Sequence, residues 1–388
     1  MASIDPLVLP GASLDPQRLA RFSRQLSLPG FDEVAQRRLA NARVLVIGAG
    51  GLGSATVPYL ASAGIGTIGI IDTDVVELSN LHRQIVHGVA DIGRSKLDSI
   101  EESVAAIDPT TKVICYRKHL DSSNILGILA DYDVLLDGSD NFPTRYLAND
   151  AAVLSAKPLV WGAILRYSGQ VSVSWAQHGP TYRDLFPSPP PPGSVPSCAE
   201  GGVLPSVCAV IGAIMSAETI KIITGIGQPL LGTVTTYDAL TGRFRELAYG
   251  RSDEVAPVTK LIDYQQFCGI GDEITAAGDT LKLANNLTAE ELARLIEQGG
   301  ELQLVDIRES YERAIAAIEP SDFLPLGSLM EQLDSLRRDA PVVLYCHSGG
   351  RSAHALRLLQ NAGFDNVSHL SGGIDNYSVK VDPTLVRY

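Results

Sequence analysis

The chain has 388 residues, enough for two domains of ordinary size, and 45% of them are hydrophobic, which supports a substantial core. A formal net charge of −13 argues against a nucleic-acid backbone as main partner, though it leaves room for a local basic pocket. No apolar run reads as long enough to cross a bilayer, and no basic stretch followed by an apolar one opens the chain, so a cytoplasmic protein with no membrane partner is expected.

Residues 1–15 read as a loose tail. A helix is expected over 19–28, with Arg21, Arg24 and Gln25 on it, and arginines on such a helix are ordinarily solvated. Val44, Leu45, Val46 and Ile47 form a continuous apolar run rich in β-branched residues, as in a strand buried on both faces of a parallel sheet. Gly48, Gly50 and Gly53 follow at G-x-G-x-x-G spacing, with Gly51 among them, and a helix is expected over 54–63, ended by Gly64. Strand, glycine turn and helix N-terminus in that order make an anion site. The missing side chains let backbone N–H groups approach a phosphate, and the helix dipole favours negative charge there. A second apolar strand, 67–71, ends at Asp72, where a carboxylate can accept ribose hydroxyls. This is a doubly wound nucleotide fold, but the glycine motif alone fits NAD, FAD and ATP equally.

Polar residues crowd the stretch 73–84, among them Asp74, Ser79, Asn80, Arg83 and Gln84. A helix is expected over 95–107 with Lys96 in its first turn. A lysine there opposes the macrodipole, so either another anion holds it or it is simply exposed. Strands are expected over 113–117 and 133–137, and Gly138-Ser139-Asp140-Asn141 stands at the C-terminal end of the second. Ligands bind outside the carboxyl ends of parallel strands, which puts Asp140 and Asn141 beside Asp72 and the glycine turn. A helix over 143–154 and strands over 158–164 and 170–175 come next. The proline-rich stretch 181–196 is excluded from helix and sheet interior, crosses the surface in extended form, and leads to Cys198. An apolar helix over 206–224 reads as buried or as an oligomer face, and 234–238 with 244–248 as a hairpin around Thr241-Gly242.

The pattern weakens over 250–284, a linker or domain edge. A second, smaller α/β domain follows. Thr288 caps a helix with Glu291 closing a capping box. A strand over 302–305 ends at Asp306-Ile307-Arg308, 330–338 reads as helical, a strand over 342–345 ends at Cys346, and 352–362 is a helix. The expected organisation is therefore 1–275, a linker at 276–285, and 286–388. The five cysteines, Cys115, Cys198, Cys208, Cys268 and Cys346, are scattered and form no C-x-x-C, so reduced thiols are expected, with Cys115 and Cys208 as small core residues.

Cys346-His347-Ser348-Gly349-Gly350-Arg351-Ser352 joins a buried strand to a helix. Such a loop aims backbone N–H groups inward at the helix N-terminus and stabilises thiolate over thiol, so Cys346 is expected to be nucleophilic, with Arg351 adding positive charge. Persulfide transfer and phosphate-ester hydrolysis both use loops of this design. Four residues separate Cys346 from Arg351, one fewer than in protein-tyrosine-phosphatase loops, and the shorter loop suits a single terminal sulfur.

With these motifs in view, residues 17–275 resemble the adenylyltransferases that activate ubiquitin-like sulfur carriers in molybdopterin and thiamine biosynthesis, and residues 285–388 resemble a rhodanese domain, the combination of MoeZ-type fused enzymes. The resemblance rests on Arg21-Phe22-Ser23-Arg24-Gln25, the glycine turn, Asp72-x-Asp74, Ser79-Asn80-Leu81-His82-Arg83-Gln84, Lys96 and Asp140-Asn141. It implies ATP-dependent adenylation of the C-terminal glycine of a β-grasp carrier, then sulfur transfer to give a thiocarboxylate. Gly51 and its neighbours would face the phosphates and Asp72 the ribose. Asn80, Arg83 and Lys96 would contact the triphosphate, and Asp140 would hold Mg2+. Arg24 would reach into the neighbouring subunit of a homodimer. Cys198 matches a thioester or acyl-disulfide cysteine of some relatives, and Cys346 would carry persulfide sulfur from a donor such as a cysteine desulfurase or thiosulfate.

Many relatives hold structural zinc through two C-x-x-C pairs. The first would fall at Thr181-Tyr182-Arg183-Asp184 and the second near Ala248, and neither place has cysteines, so no structural zinc is expected. Ala317-Ile318-Glu319-Pro320 also replaces a His-Ile-Pro-Gly common in rhodaneses. An NAD-dependent oxidoreductase is the rival reading, but it gives Lys96, Arg83, Asp140 and the second domain nothing to do. A non-catalytic carrier-binding scaffold is another, and it leaves Cys346 unused.

Overall fold

A computed structural model describes residues 4–191, 201–268, 285–297, 299 and 302–388. Contacts divide the chain into two compact units, Met1–Asp272 and Glu273–Tyr388.

The first unit is an eight-stranded sheet of β1 (Arg43–Ile47), β2 (Thr67–Ile71), β3 (Lys112–Tyr116), β4 (Val134–Asp137), β5 (Leu159–Leu165), β6 (Ser168–Ser174), β7 (Thr233–Asp238) and β8 (Arg243–Ala248), in the order β3-β2-β1-β4-β5-β6-β7-β8. The first five strands of that order are parallel and the last three pairings antiparallel. The apolar run of β1 has a direct cause. Val44 and Val46 enter one core cluster while Leu45 and Ile47 enter another, so both faces of the strand are covered. The order turns back between β1 and β4, which opens a crevice at their carboxyl ends.

The helix Pro205–Thr224 packs on the helix Gly51–Ser62 and on β5 and β6. It corrects the expectation that no run reaches bilayer length, since its 20 residues are long and apolar enough by length and composition. The cause of its apolarity is burial in this core, where Val207, Ile211, Met215 and Ile222 are nearly or wholly inaccessible. Two other expectations change in this unit. The helix over 19–28 is two short helices, Pro16–Arg21 and Ser23–Leu26, interrupted where Phe22 turns inward to 3% exposure. The proline-rich stretch contains a helical turn, Tyr182–Leu185, whose Asp184 accepts from the Thr181 N–H and hydroxyl at 2.6 and 2.9 Å.

The second unit is a parallel sheet of β9 (Asn286–Leu287), β10 (Gln303–Asp306), β11 (Asp322–Phe323), β12 (Val342–Tyr345) and β13 (Val367–Leu370), ordered β11-β10-β12-β13-β9. Val342 and Leu344 face one core cluster, Val343 and Tyr345 the other. Thr288 and Glu291 form the expected capping box, with the Glu291 N–H on Thr288 Oγ1 at 3.2 Å and Glu291 Oε2 accepting from the Thr288 N–H at 2.8 Å. The helix expected over 330–338 is instead a pair of 3-10 turns, Leu326–Glu331 and Leu333–Ser335. Leu329 and Leu336 anchor that segment in the core.

Candidate functional site

The first site lies where β1, β2 and β4 end. Gly48 leaves β1 at φ +90, a conformation that favours glycine, and its N–H is held by Ile71 at the end of β2. On the other side, the N–H of Gly138, just past the end of β4, donates to Ile47 O. The helix Gly51–Ser62 starts immediately after the turn. Its third residue, Gly53, sits so close that a Cβ would stand 2.0 Å from Gly48 O.

Asp72 braces this turn. Its Oδ2 accepts from the Ala49 N–H at 2.7 Å and its Oδ1 from the Asp74 N–H at 2.8 Å. Each carboxylate oxygen keeps a second lone pair for a hydroxyl. Lys96 is only 5% exposed, and its Nζ donates to Asp74 Oδ2 at 2.8 Å. That contact answers why a lysine opens the helix Lys96–Ile107: an anion 22 residues away holds it, and the exposed-lysine reading is overturned. Between them, the Asn80 side chain accepts from the Glu77 N–H at 3.2 Å and caps a 3-10 turn. Arg83 Nη1 donates to Ser79 O at 3.0 Å.

Two buried groups were not foreseen. His87 joins Ala49 O at 3.1 Å to Ser99 Oγ at 2.8 Å, tying the glycine turn to the lysine helix. Burial draws its imidazole below the ordinary value. Beneath Ser139, Asp137 accepts from the Ser139 N–H at 2.9 Å and faces Arg145 at 3.8 Å, and burial pushes its carboxyl up. The crossing of the chain brings His87 under the turn, with no signal in its local sequence, whereas Asp137 ends the strand expected over 133–137. Asp140 is exposed next in sequence, and Asn141 is given to capping the helix Phe142–Leu154 through the Thr144 N–H at 3.0 Å.

Arg24 is not brought to this turn. Its neighbour Gln25 donates to Ala63 O, at the end of the glycine-turn helix opposite to Gly51. Twelve residues of helix separate the two ends by about 18 Å. Cys198 lies outside the described residues.

The second site is the loop after β12. Cys346 is fully buried, and the Gly349 and Ser352 N–H groups donate to its Sγ at 3.1 and 3.4 Å. Gly349 has φ +98, which turns its N–H inward. Ile374 and Asp375 N–H groups hold the loop's outer carbonyls, those of Cys346 and His347, at 2.9 and 3.1 Å. Arg351 points its guanidinium at Glu312 through two bonds of 2.7 Å, so its charge is matched rather than left to the loop. Sulfur in this nest receives partial positive charge from backbone donors, the environment a transferable sulfane sulfur requires.

A profile of the ThiF family matches residues 22–257, and one of the rhodanese-like domain matches 288–380. Over 394 residues the chain is 47% identical to a Mycobacterium tuberculosis protein named "Probable adenylyltransferase/sulfurtransferase MoeZ", covering 100% of this chain and 99% of that one. It is 47% identical over 266 residues to the "Sulfur carrier protein adenylyltransferase" of Thermus thermophilus, covering 66% of this chain and 98% of that one. It is also 37% identical over 399 residues to the "Adenylyltransferase and sulfurtransferase MOCS3-2" of Zea mays, covering 98% and 83%. Among solved structures, E. coli MccB with ATP aligns at TM-score 0.55 and 22% identity, covering 64% of this chain and 76% of that one, a likeness of fold.

Proposed function

The chain belongs to the ThiF family and carries a rhodanese-like domain behind it, and from that premise we propose how its two sites share one reaction. The protein is an adenylyltransferase and sulfurtransferase. The nicotinamide alternative has no support among its relatives.

Its substrate in this reading is a small β-grasp carrier ending in glycine. A carboxylate is a poor electrophile. One oxygen of the carrier's terminal carboxylate attacks the α-phosphorus of ATP, a P–O bond forms, and pyrophosphate leaves with the electron pair of the bond that breaks. The turn Gly48–Gly53 offers backbone N–H groups to the phosphates, Asp72 takes the ribose, and Asn80, Arg83 and Lys96 stabilise charge developing on the triphosphate. Ser79 orients Arg83 through its carbonyl, and Asp74 holds Lys96 ready. Magnesium, when bound, neutralises phosphate charge. Asp140, exposed just beyond β4, fits it as a single carboxylate completed by substrate oxygens.

At the second site Cys346 receives sulfane sulfur from a donor such as a cysteine desulfurase or thiosulfate. The terminal sulfur of its persulfide attacks the activated carbonyl and AMP leaves. A second thiol then opens the acyl disulfide, releasing the thiocarboxylate and forming a disulfide to Cys346 that an external thiol reduces. Cys198 is the candidate for that second thiol. The domains are taken as 1–275 and 286–388, joined by 276–285.

A homodimer belongs to the same proposal. Two observations support it: Arg24 stands at the far end of its own glycine-turn helix, and the stretch between β2 and the helix Lys96–Ile107 leaves Leu78, Ile85 and Val89 between 69% and 75% exposed.

The observation that supports the adenylation reading is the buried Lys96 ammonium held by Asp74 beside the glycine turn, a cation in place for a nucleotide phosphate. The test is pyrophosphate exchange with β-grasp carriers, followed by mass spectrometry of each carrier for one oxygen replaced by sulfur. Cys346→Ser is expected to keep the exchange and abolish the sulfur gain. Absence of exchange with every carrier tried would sink the reading.

A further inference from the structure

Around the Cys346 loop lies a set of buried and half-buried polar groups that sulfur transfer does not by itself require. Glu312, 3% exposed, takes both terminal nitrogens of Arg351 at 2.7 Å each. Tyr388 Oη donates to Glu312 Oε1 at 3.2 Å and accepts from Arg308 Nη1 at 2.6 Å. The Tyr388 ring stacks on His347 of the loop, centroids 4.5 Å apart and 25° from parallel. Arg308 is itself fully buried and fixed by Asp306 at 2.8 and 2.7 Å. Burial alone would push the Glu312 carboxyl up, but the bonds from Arg351 and from the Glu309 N–H hold it below its ordinary value, so it faces Arg351 as an anion.

Thiosulfate and a persulfide pose different electrostatic problems to this loop. With thiosulfate, the Cys346 thiolate attacks the outer sulfur, a new S–S bond forms, the old one breaks, and sulfite leaves with the electron pair. That donor brings a dianionic sulfonate-like head needing a cation. With a persulfide R–S–SH, the same attack yields the Cys346 persulfide and releases R–S−, and no sulfo group has to be held.

We propose that Glu312, locked in place by Tyr388, sets donor specificity at Cys346: by occupying the Arg351 guanidinium it withholds that cation from a sulfo group, so the loop takes sulfur from a persulfide in preference to thiosulfate. This rests on the reading of Cys346 as the sulfur acceptor. Glu312 and Tyr388 act through Arg351 and are specificity-determining rather than catalytic.

The experiment measures kcat and KM of the full-length protein with thiosulfate and with a cysteine persulfide donor, for wild type, Glu312→Gln and Tyr388→Phe. Glutamine keeps the Glu309 cap but removes the anion. The thiosulfate-to-persulfide ratio of kcat/KM is expected to rise about tenfold in Glu312→Gln, through a lower KM for thiosulfate. Tyr388→Phe keeps the stacking and loses both Oη bonds, and a rise of about threefold is expected. Should Glu312→Gln fail to fold by circular dichroism, Tyr388→Phe decides alone. Ratios within twofold of wild type, or moving towards the persulfide, overturn the proposal. A wild type that takes sulfur from neither donor overturns instead the reading of Cys346 beneath it.

Discussion

Replacing Gly53 by alanine distinguishes a phosphate turn from an ordinary helix start. In an unconstrained helix interior the change stabilises by about 1 kcal/mol. Here the new Cβ would stand 2.0 Å from Gly48 O and 3.0 Å from Gly48 C. No flexible side chain can yield, because the atoms met are the turn's own backbone. Forcing an extra carbon into a packed site costs about 1–3 kcal/mol, and so close an approach belongs at the upper end. The expected balance is a net loss of about 2 kcal/mol. Moving Gly48 also displaces the Ala49 N–H from Asp72, where it rests at 2.7 Å, and with it the backbone donors we propose for the phosphates. Each charged hydrogen bond lost is worth about 1.5–3 kcal/mol, so pyrophosphate exchange should fall by at least about tenfold. Both tryptophans, Trp161 and Trp175, lie in the first unit, so urea unfolding followed by their fluorescence reads this unit alone. The midpoint should fall and the exchange collapse, while persulfide formation at Cys346 persists. A midpoint that rises, with exchange intact, refutes the account of the turn.

Removing Arg183 by Arg183→Met should destabilise the first unit by about 3–5 kcal/mol, since it leaves the 3%-exposed Asp150 carboxylate without its cation, and the same fluorescence titration reads the loss. A loss below about 1 kcal/mol would mean that Tyr264 and water satisfy Asp150 unaided. His87 gives a pH signature. Burial, with a smaller contribution from Lys96, lowers its folded pKa below 6.5, so the folded state binds fewer protons than the unfolded one. Its contribution to stability is complete above 6.5 and is lost as pH falls from there through the lowered folded value. His87→Gln should therefore flatten the decline in urea midpoint between about pH 7 and about pH 5, and superimposable profiles would count against it. Thr288→Ala removes the cap from the helix Ala289–Glu297 and should cost about 1 kcal/mol in the second unit, measured as a shift of its calorimetric transition.

How much of this was legible follows from where each constraint lies. The run Val44 to Ile47 announced a strand covered on both sides because every one of its side chains is buried. The glycine turn was legible because a close backbone approach excludes side chains at fixed spacing. Lys96 raised the right question, since a cation at a helix start needs an anion, but nothing local could select Asp74 across 22 residues of chain. Arg351 shows the same limit. Its charge was visible and its partner, 39 residues earlier, was not, so the loop was credited with a cation that Glu312 holds. The split at Phe22 also comes from a distant partner. A Cβ on Gly64 would meet the Phe22 ring at 2.5 Å, so the ring fits only against a glycine. Over 330–338 the leucine spacing was helical, yet two anchors in a short connection are satisfied by 3-10 turns.

The turn Tyr182–Leu185 and the segment beyond β8 show what directional polar bonds do in this chain. Arg183 gives Asp150 two bonds of 2.7 Å, and its guanidinium lies 4.9 Å from the ring centroids of both Tyr146 and Phe267. Tyr264 Oη completes Asp150 at 2.7 Å, and Asp184 reaches the Ser252 N–H at 2.9 Å. Three stretches far apart in sequence, the helix Phe142–Leu154, the turn Tyr182–Leu185 and the segment beyond β8, are thereby joined. Burying such an ion pair costs desolvation that its Coulomb energy only about repays, so it adds little net stability over an apolar packing. What it supplies is geometry: bidentate bonds and stacked rings admit one arrangement, where grease would admit several. The turn Tyr182–Leu185 is therefore a fixed anchor beside the sheet, the Tyr182 N–H donating to Asn149 Oδ1 at 3.0 Å.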